Sequence, residues 1–137
     1  MSTLRSALAE RVVVADGAMG TMLQASEATV DDFDGYEGCN EILNVTRPGL
    51  VTAVHEAYLD AGADCLTTNS FGANLSNLGE YGIADRIGEL SLASAQLARA
   101  AADRRATPDR PRWVLGSMGP GTKLPTLDHT LFPYTTR

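Results

Sequence analysis

The sequence predicts an α/β fold in which short parallel strands alternate with helices. Three strand-like runs, at residues 12–14, 64–68 and 113–118, are each followed by a turn that contains glycine. Short apolar runs closed by turn residues are typical of buried strands. Helical patterns separate the runs, and a strand–helix–strand order favours parallel pairing with a right-handed crossover. The 137 residues, 44% of them hydrophobic, suit one modest domain.

The chain is predicted to begin with a lead-in helix at residues 3–10. Leu4 and Leu8 lie four positions apart there, as residues on one face of a helix do. The first strand follows and ends at Asp16. This acid therefore stands at the carboxyl end of a strand, where α/β sheets bind their ligands.

Residues 24–38 are rich in acidic and small side chains and have no sustained period, so we expect a surface loop of functional length. The acids of this loop superficially suggest a calcium site. The calcium-loop spacing, however, would place Tyr36 and Leu43 at positions that require oxygen ligands. A solvated acidic loop is the favoured interpretation.

The next predicted helix occupies residues 50–61, where apolar residues recur with helical spacing. Pro48 suits the first turn of this helix, and Gly62 suits its carboxyl end. The second strand, at residues 64–68, follows at once and ends in the turn at residues 69–72.

A longer helix is predicted from Ile83 to about Arg105, because apolar and small residues recur at steps of three and four. A polar, proline-containing connection then leads to the third strand, which ends in a turn at residues 119–121. Residues 122–137 contain prolines and turn residues but no helical pattern. We expect an irregular tail there.

Composition excludes several classes of function. The net charge of −6 and a pI near 4.7 argue against nucleic acid or an anionic membrane as the main partner. The sequence has no apolar run long enough to span a bilayer and no signal-peptide layout, so we expect a cytoplasmic location. Cys39 and Cys65 fit neither a disulfide framework nor metal-ligand spacing, and we expect free thiols.

The ends of the three strands are expected to share one rim of the sheet, which brings together Asp16, Asn69 and the turn at residues 117–119. A carboxylate can bind an ammonium group, and N–H groups beside glycines can approach a carboxylate closely. This combination suits an amino acid. From the residues alone, Asp16 is equally well explained as a helix or turn cap, and such a cap is the somewhat better explanation of Asn69 and Ser70.

Two other kinds of site are disfavoured. The glycine spacing after the first strand matches neither the dinucleotide fingerprint nor the phosphate-binding loop. His55 and His129 have no evident nucleophile partner, so a hydrolytic triad is unsupported.

Four segments carry a family likeness that runs from about residue 11 to about residue 128. They are DGAMGT at 16–21, EGCNEILNVTRP at 37–48, TNSFGAN at 68–74 and GSMGPGTKLP at 116–125. Together, and in this order, they resemble the zinc-dependent homocysteine S-methyltransferase domain. Within that family they look like the start of the cobalamin-dependent methionine synthases.

The resemblance implies a (βα)₈ barrel of the TIM type, of which residues 11–121 would form about the first three βα units. Homocysteine would bind at the carboxyl ends of the strands, beside a zinc ion held by three cysteine thiolates. Zinc lowers the pKa of the homocysteine thiol, and the thiolate attacks the methyl group of methylcobalamin. The product is methionine.

The resemblance also assigns substrate-binding roles, with Asp16 holding the amino end of homocysteine. Ser70 stands where the family usually has threonine, which keeps the hydroxyl group. The ten residues that match the motifs are Asp16, Gly17, Met19, Gly20, Thr21, Asn69, Ser70, Ser117, Gly119 and Pro120.

The departures from the family pattern are informative too. The zinc cysteines of the family come from later strands, and neither Cys39 nor Cys65 matches them. We therefore expect residues 1–137 to be a truncated, N-terminal part of the homocysteine-binding domain that binds neither zinc nor cobalamin and is inactive alone. The alternative is a non-catalytic interaction or amino-acid-binding module on the same scaffold. Either form would self-associate or pair with a completing barrel segment through its open edge.

Overall fold

The structure of the chain is a computed structural model that describes residues 3–122. The α-helices and strands are α1 (Leu4–Glu10), α2 (Met19–Gln24), α3 (Leu43–Thr46), α4 (Pro48–Asp60), β1 (Cys65–Thr67), α5 (Leu75–Glu80), α6 (Ile87–Arg105) and β2 (Trp113–Leu115). Short 3₁₀ helices lie at Val30–Phe33, Asn40–Ile42 and Ala84–Arg86. No helix in this range is long and apolar enough to cross a membrane. The predicted irregular tail lies outside the described residues except for Thr122.

The extended segments are aligned in parallel, as predicted. β1 and β2 form a two-stranded sheet in which Cys65 lies opposite Trp113. The segment that precedes Asp16 joins the other side of β1 through one parallel bridge, between Ala15 and Cys65. The Asp16 N–H donates to the Cys65 carbonyl oxygen at 3.0 Å. The carboxyl ends of all three segments therefore meet at one edge.

The prediction of a buried first strand is wrong. Val12 and Val14 are 83% and 51% exposed, and the segment makes a single bridge instead of a regular ladder. The physical reason is its position, because it pairs with β1 on one side and no described residue pairs with its outer side. A short apolar run indicates an extended segment but does not distinguish an edge from a centre.

The first predicted long helix is confirmed as α4. Pro48 occupies the first turn, where its missing N–H costs no helical hydrogen bond. Gly62, just beyond the end of α4, has a φ of +105°, a conformation that glycine adopts at low cost. Val51 and Val54 are buried on the inner face of the helix.

The second predicted long helix is α6, and it packs against both α4 and the sheet. Its predicted first turn is a 3₁₀ helix at Ala84–Arg86, and the regular α-helix begins at Ile87. Ala98, Ala101 and Ala102 are fully buried in the cluster that contains Leu66 of β1. These small side chains allow the helix to lie close to the strand.

A second core cluster fills the space under the helices on the site side of the molecule. Its buried members are Leu23, Cys39, Ile42, Leu43, Val51, Val54, Leu78, Ile83 and Leu90. The segment at residues 24–38, predicted as a loop, contains the 3₁₀ helix Val30–Phe33. An ion pair of 2.7 Å between Asp32 and Arg47 connects this segment to the start of α4. The core thus supports the segments that carry the predicted site.

Candidate functional site

The carboxylate of Asp16 links two neighbouring extended segments. One oxygen accepts the Thr67 backbone N–H at 2.7 Å, and the other accepts the Thr67 hydroxyl at 2.6 Å. The described bonds of Asp16 are therefore to β1, and the alternative of a cap for its own turn does not fit them. The two bonds fix the carboxylate at the carboxyl edge of the sheet.

A small cavity of about 370 Å³ opens beside Asp16. Its lining comes from the turn after the first extended segment (the first turn, residues 16–18), the start of α2, the Asn40–Ile42 helix and the end of β1. The turn after β1 (the second turn, residues 69–72) and the turn after β2 (the third turn, residues 116–121) complete it. The lining residues are Asp16, Gly17, Met19, Gly20, Asn40, Glu41, Thr67, Thr68, Asn69, Phe71 and Ser117. Six of the ten predicted site residues are thus brought together around one cavity.

The remaining four predicted residues lie elsewhere. Ser70, Gly119 and Pro120 line a neighbouring apolar groove of about 1050 Å³, which Ser117 also borders. Thr21 is exposed on α2 and lines neither space. The predicted residues of the second and third turns are therefore split between the two spaces. Asn69 lines the cavity, Ser70, Gly119 and Pro120 line the groove, and Ser117 borders both.

Hydrogen bonds hold the second and third turns together. The Ser117 N–H donates to the Thr68 hydroxyl at 2.9 Å, and the Ser70 hydroxyl donates to the Ser117 carbonyl oxygen at 2.9 Å. The Gly119 N–H donates to the Phe71 carbonyl oxygen at 3.0 Å. The hydroxyl of Ser70 thus spans two turns, which fixes Ser117 at the border of the cavity.

Asn69 is buried, and its amide is engaged by the protein. Its Nδ2 donates to the Asn40 carbonyl oxygen at 2.9 Å and to Oδ1 of Asn44 at 3.0 Å. In return, Nδ2 of Asn44 donates to the Asn69 carbonyl oxygen at 2.8 Å. Asn69 therefore joins the end of β1 to the Asn40–Ile42 helix and α3, and it shapes one wall of the cavity.

Glu41 also lines the cavity, although the sequence predicted no role for it. It is only 7% exposed, and its Oε1 accepts the Gly72 N–H at 2.6 Å. The sequence offers only a weak signal for Glu41. Glu41 and Asn44 are polar residues three positions apart, beside the apolar Ile42 and Leu43. Such spacing indicates polar groups on the inner face of a short helix, but it does not reveal their partners.

The cavity is acidic. Asp16 and Glu41 both line it, and its lining contains no lysine, arginine or histidine. Burial and the nearby Glu41 carboxylate raise the pKa of the Cys39 thiol, which keeps that thiol neutral. The described lining of the cavity therefore favours a positively charged ligand group over an anion.

His55 lies in the interior beneath the site. It is fully buried on α4, and neither ring nitrogen has a hydrogen-bond partner among the described residues. Burial lowers the pKa of His55, although the negative charge of Asp16 acts in the opposite direction. The imidazole is therefore neutral in the folded chain at pH 7.

This burial predicts a loss of stability in mild acid. Below the ordinary pKa of 6.5 the unfolded chain binds a proton at His55 that the folded chain does not, so the free energy of unfolding falls as pH decreases. His55→Leu should raise that free energy by about 1 kcal/mol at pH 7, because a buried unpaired polar group is removed. The gain should grow towards pH 5, as measured by urea unfolding. His129→Gln is the control, and an unchanged pH dependence in His55→Leu would contradict the account.

The described residues do not provide a zinc site. No group of three histidine, cysteine, aspartate or glutamate residues is arranged to hold a metal ion in residues 3–122. Cys39 and Cys65 are both buried free thiols, one in the helical core cluster and the other in β1. The three-thiolate set that the resemblance implies does not fit these residues.

Comparisons with known proteins agree with the fold and the motifs. The model of the homocysteine S-methyltransferase family matches residues 13–134. Methionine synthases of Mycobacterium tuberculosis and Mycobacterium leprae are each 61% identical over 127 residues. These matches cover 93% of this chain, but the chain spans only 11% and 10% of the length of those relatives.

Comparison with solved structures also identifies homocysteine methyltransferases as similar proteins. The homocysteine methyltransferase MmuM from Escherichia coli, in its metallated form, superposes with a TM-score of 0.68 at 29% identity. The match covers 85% of this chain and 41% of that chain. The oxidised form of the same enzyme gives the same score and identity. With a family match over most of its residues, a shared fold and the motifs around the cavity, the chain belongs to the homocysteine S-methyltransferase family.

Proposed function

We propose that the chain forms the first part of a homocysteine-binding barrel in a methionine synthase, and that its small cavity binds the amino end of homocysteine. The 61% identity to two methionine synthases supports the enzyme class. Because the chain spans about a tenth of those proteins, the transfer of a methyl group from methylcobalamin to homocysteine is proposed for a longer assembly. The chain alone is proposed to be inactive.

The observation that carries this proposal is the fixed carboxylate of Asp16 beside a cavity whose lining holds no cation. An ionised carboxylate accepts up to about four hydrogen bonds, and Thr67 supplies two. The α-ammonium group of an amino acid can occupy the remaining acceptor positions. A charge-assisted bond of this kind is stronger than a neutral one, so Asp16 would select for the free amine.

The glycine turn beside Asp16 would serve the other end of the amino acid. Gly17 packs so closely on Tyr58 that a Cβ there would lie 2.9 Å from the tyrosine hydroxyl. That hydroxyl also donates to the Ala18 carbonyl oxygen at 2.9 Å. The missing side chain at Gly17 makes room for the tyrosine, which thus holds the turn in place. We propose that backbone N–H groups of this glycine turn bind the substrate carboxylate.

Zinc and cobalamin belong to other parts of the enzyme in this proposal. Zinc activates the homocysteine thiol when it is bound. Residues 3–122 contribute no zinc ligand set, so no metal-dependent step is assigned to them. Their proposed part in the reaction is to bind and orient the amino acid end of the substrate.

We further propose that additional barrel strands, or a second copy of the chain, pair with the exposed edge at Val12 and Val14.

The proposal predicts that the chain recognises the amine of its ligand. Homocysteine should bind about 10- to 100-fold more tightly than γ-mercaptobutyrate, which lacks the amino group, because a charge-assisted bond contributes about 1.5–3 kcal/mol. Asp16→Asn should remove most of this preference, since the neutral amide keeps an acceptor for Thr67 but loses the charge. Isothermal titration calorimetry measures both affinities.

Asp31→Asn is the matched control, because Asp31 is exposed on the Val30–Phe33 helix and does not line the cavity. This variant should bind both compounds as the wild type does. Equal affinity of the wild type for homocysteine and γ-mercaptobutyrate, or no binding of homocysteine, would contradict the proposed function.

A further inference from the structure

We infer that Glu41 is a second carboxylate that binds the ammonium group of the substrate and thereby sets the specificity of the site for a free amine. The inference rests on the proposed function and extends it to a residue outside the ten that the motifs assign. Asp16 and Glu41 reach the same cavity from separate parts of the chain, the first turn and the Asn40–Ile42 helix. Both acids therefore line the space in which the ligand is proposed to bind.

The charge of Glu41 has no counter-ion among the described residues. Its polar contacts are the Gly72 N–H at 2.6 Å and the Cys39 thiol at 3.8 Å, and none of the described ion pairs includes it. At 7% exposure it is also largely removed from water. Burial of a carboxylate without a cation is costly, and proteins normally neutralise such a group.

Asp64 shows how this chain treats a buried carboxylate that has a purely structural role. It is 4% exposed, and Arg11 and Arg112 donate to it at 2.8 and 3.1 Å. Glu41 is buried to a similar degree but lies beside a cavity and another acid instead of beside arginines. Residues 3–122 offer Glu41 no cation, and the ammonium group of the ligand would supply this charge.

Glu41 also has a structural role, because it holds the Gly72 turn. A Cβ at Gly72 would lie 2.9 Å from Oε1 of Glu41, so the carboxylate and the turn are in close contact. This role requires only a hydrogen-bond acceptor, which a glutamine also provides. The binding of an ammonium group requires the negative charge. Glu41→Gln consequently separates the two roles.

The experiment measures the affinity of the 137-residue chain for homocysteine and for γ-mercaptobutyrate by calorimetry. Glu41→Gln should weaken homocysteine binding at least about tenfold and leave γ-mercaptobutyrate binding within about twofold, as expected for the loss of one charge-assisted bond. The double variant with Asp16→Asn should show no remaining preference for the amine. Protection of the Gly72 amide from hydrogen exchange should stay at the wild-type level, which verifies that the turn is intact.

Glu37→Gln is the control, because Glu37 is exposed and does not line the cavity. The inference is overturned if Glu41→Gln binds homocysteine as the wild type does, or if it weakens both compounds equally. If Asp16→Asn reduces the amine preference and Glu41→Gln does not, only the role of Glu41 fails. If the wild type shows no amine preference, the proposed function fails as well.

Discussion

Replacement of Asp64 by asparagine should lower the free energy of unfolding by about 3 kcal/mol, since removal of one partner from a buried ion pair leaves the other charge uncompensated. The side chains of Asp64 and Arg112 are each 5% exposed, and their closest atoms are 3.1 Å apart. Arg11 donates to the other carboxylate oxygen at 2.8 Å. Urea unfolding followed by circular dichroism measures the effect.

The position of Asp64 explains the expected size of this effect. Asp64 directly precedes β1, Arg112 directly precedes β2, and Arg11 directly precedes the first extended segment. The carboxylate also accepts the Val14 N–H at 3.1 Å. One side chain therefore ties together the starts of all three segments, at the end of the sheet opposite the cavity.

Asp60→Asn is the matched control, because it removes the same charge from a pair of exposed side chains. Asp60 and Arg105 are 58% and 44% exposed at the side chain. An exposed ion pair contributes little, so this variant should lose less than about 1 kcal/mol. Equal losses of unfolding free energy in the two variants would contradict the description of Asp64 as the buried partner of Arg112 and Arg11.

Gly119→Ala should destabilise the chain by about 2 kcal/mol and weaken homocysteine binding, because overpacking at a tight contact forces the backbone to move. A Cβ at Gly119 would clash with the Phe71 carbonyl oxygen. That oxygen accepts the Gly119 N–H, so the clash would separate the second and third turns. Phe71 and Ser117 both line the cavity, and its shape would change with them.

Gly116→Ala provides the control for this prediction. It lies three positions earlier in the same connection, and a Cβ there would meet nothing within 4 Å. Its stability and its affinity for homocysteine should both remain near the wild-type values. If Gly119→Ala behaved like Gly116→Ala in unfolding and calorimetry, the close approach of the two turns would be refuted.

The long helices could be predicted from the sequence because their patterns extend over many turns. α4 has 13 residues and α6 has 19, which is long enough for helical spacing to be distinguished from chance. α2 and α5 have six residues each and contain glycine, so their periods are too short to detect. The start of α2 has no side-chain cap, whereas α5 begins at a local cap in which Asn74 Oδ1 accepts the Asn77 N–H at 2.9 Å.

The candidate site was only partly predictable for a related reason. Asp16 could be identified because strand ends carry ligand sites, and this follows from the order of elements alone. The role of Glu41 depends on Gly72, which lies 31 positions away along the chain. The exposure of Val12 likewise depends on what lies beyond the edge of the sheet. Such properties arise from contacts distant in sequence.

The central claim, that the small cavity binds the amino acid end of homocysteine, is tested most directly by amide NMR of the isotope-labelled chain. Titration with homocysteine should shift the amide signals of Gly17, Gly20 and Ser117, which line the cavity. Signals of Leu75 and Ser91, which line the apolar groove but not the cavity, should stay unchanged. Shifts confined to the groove, or no shifts at saturating homocysteine, would contradict the claim.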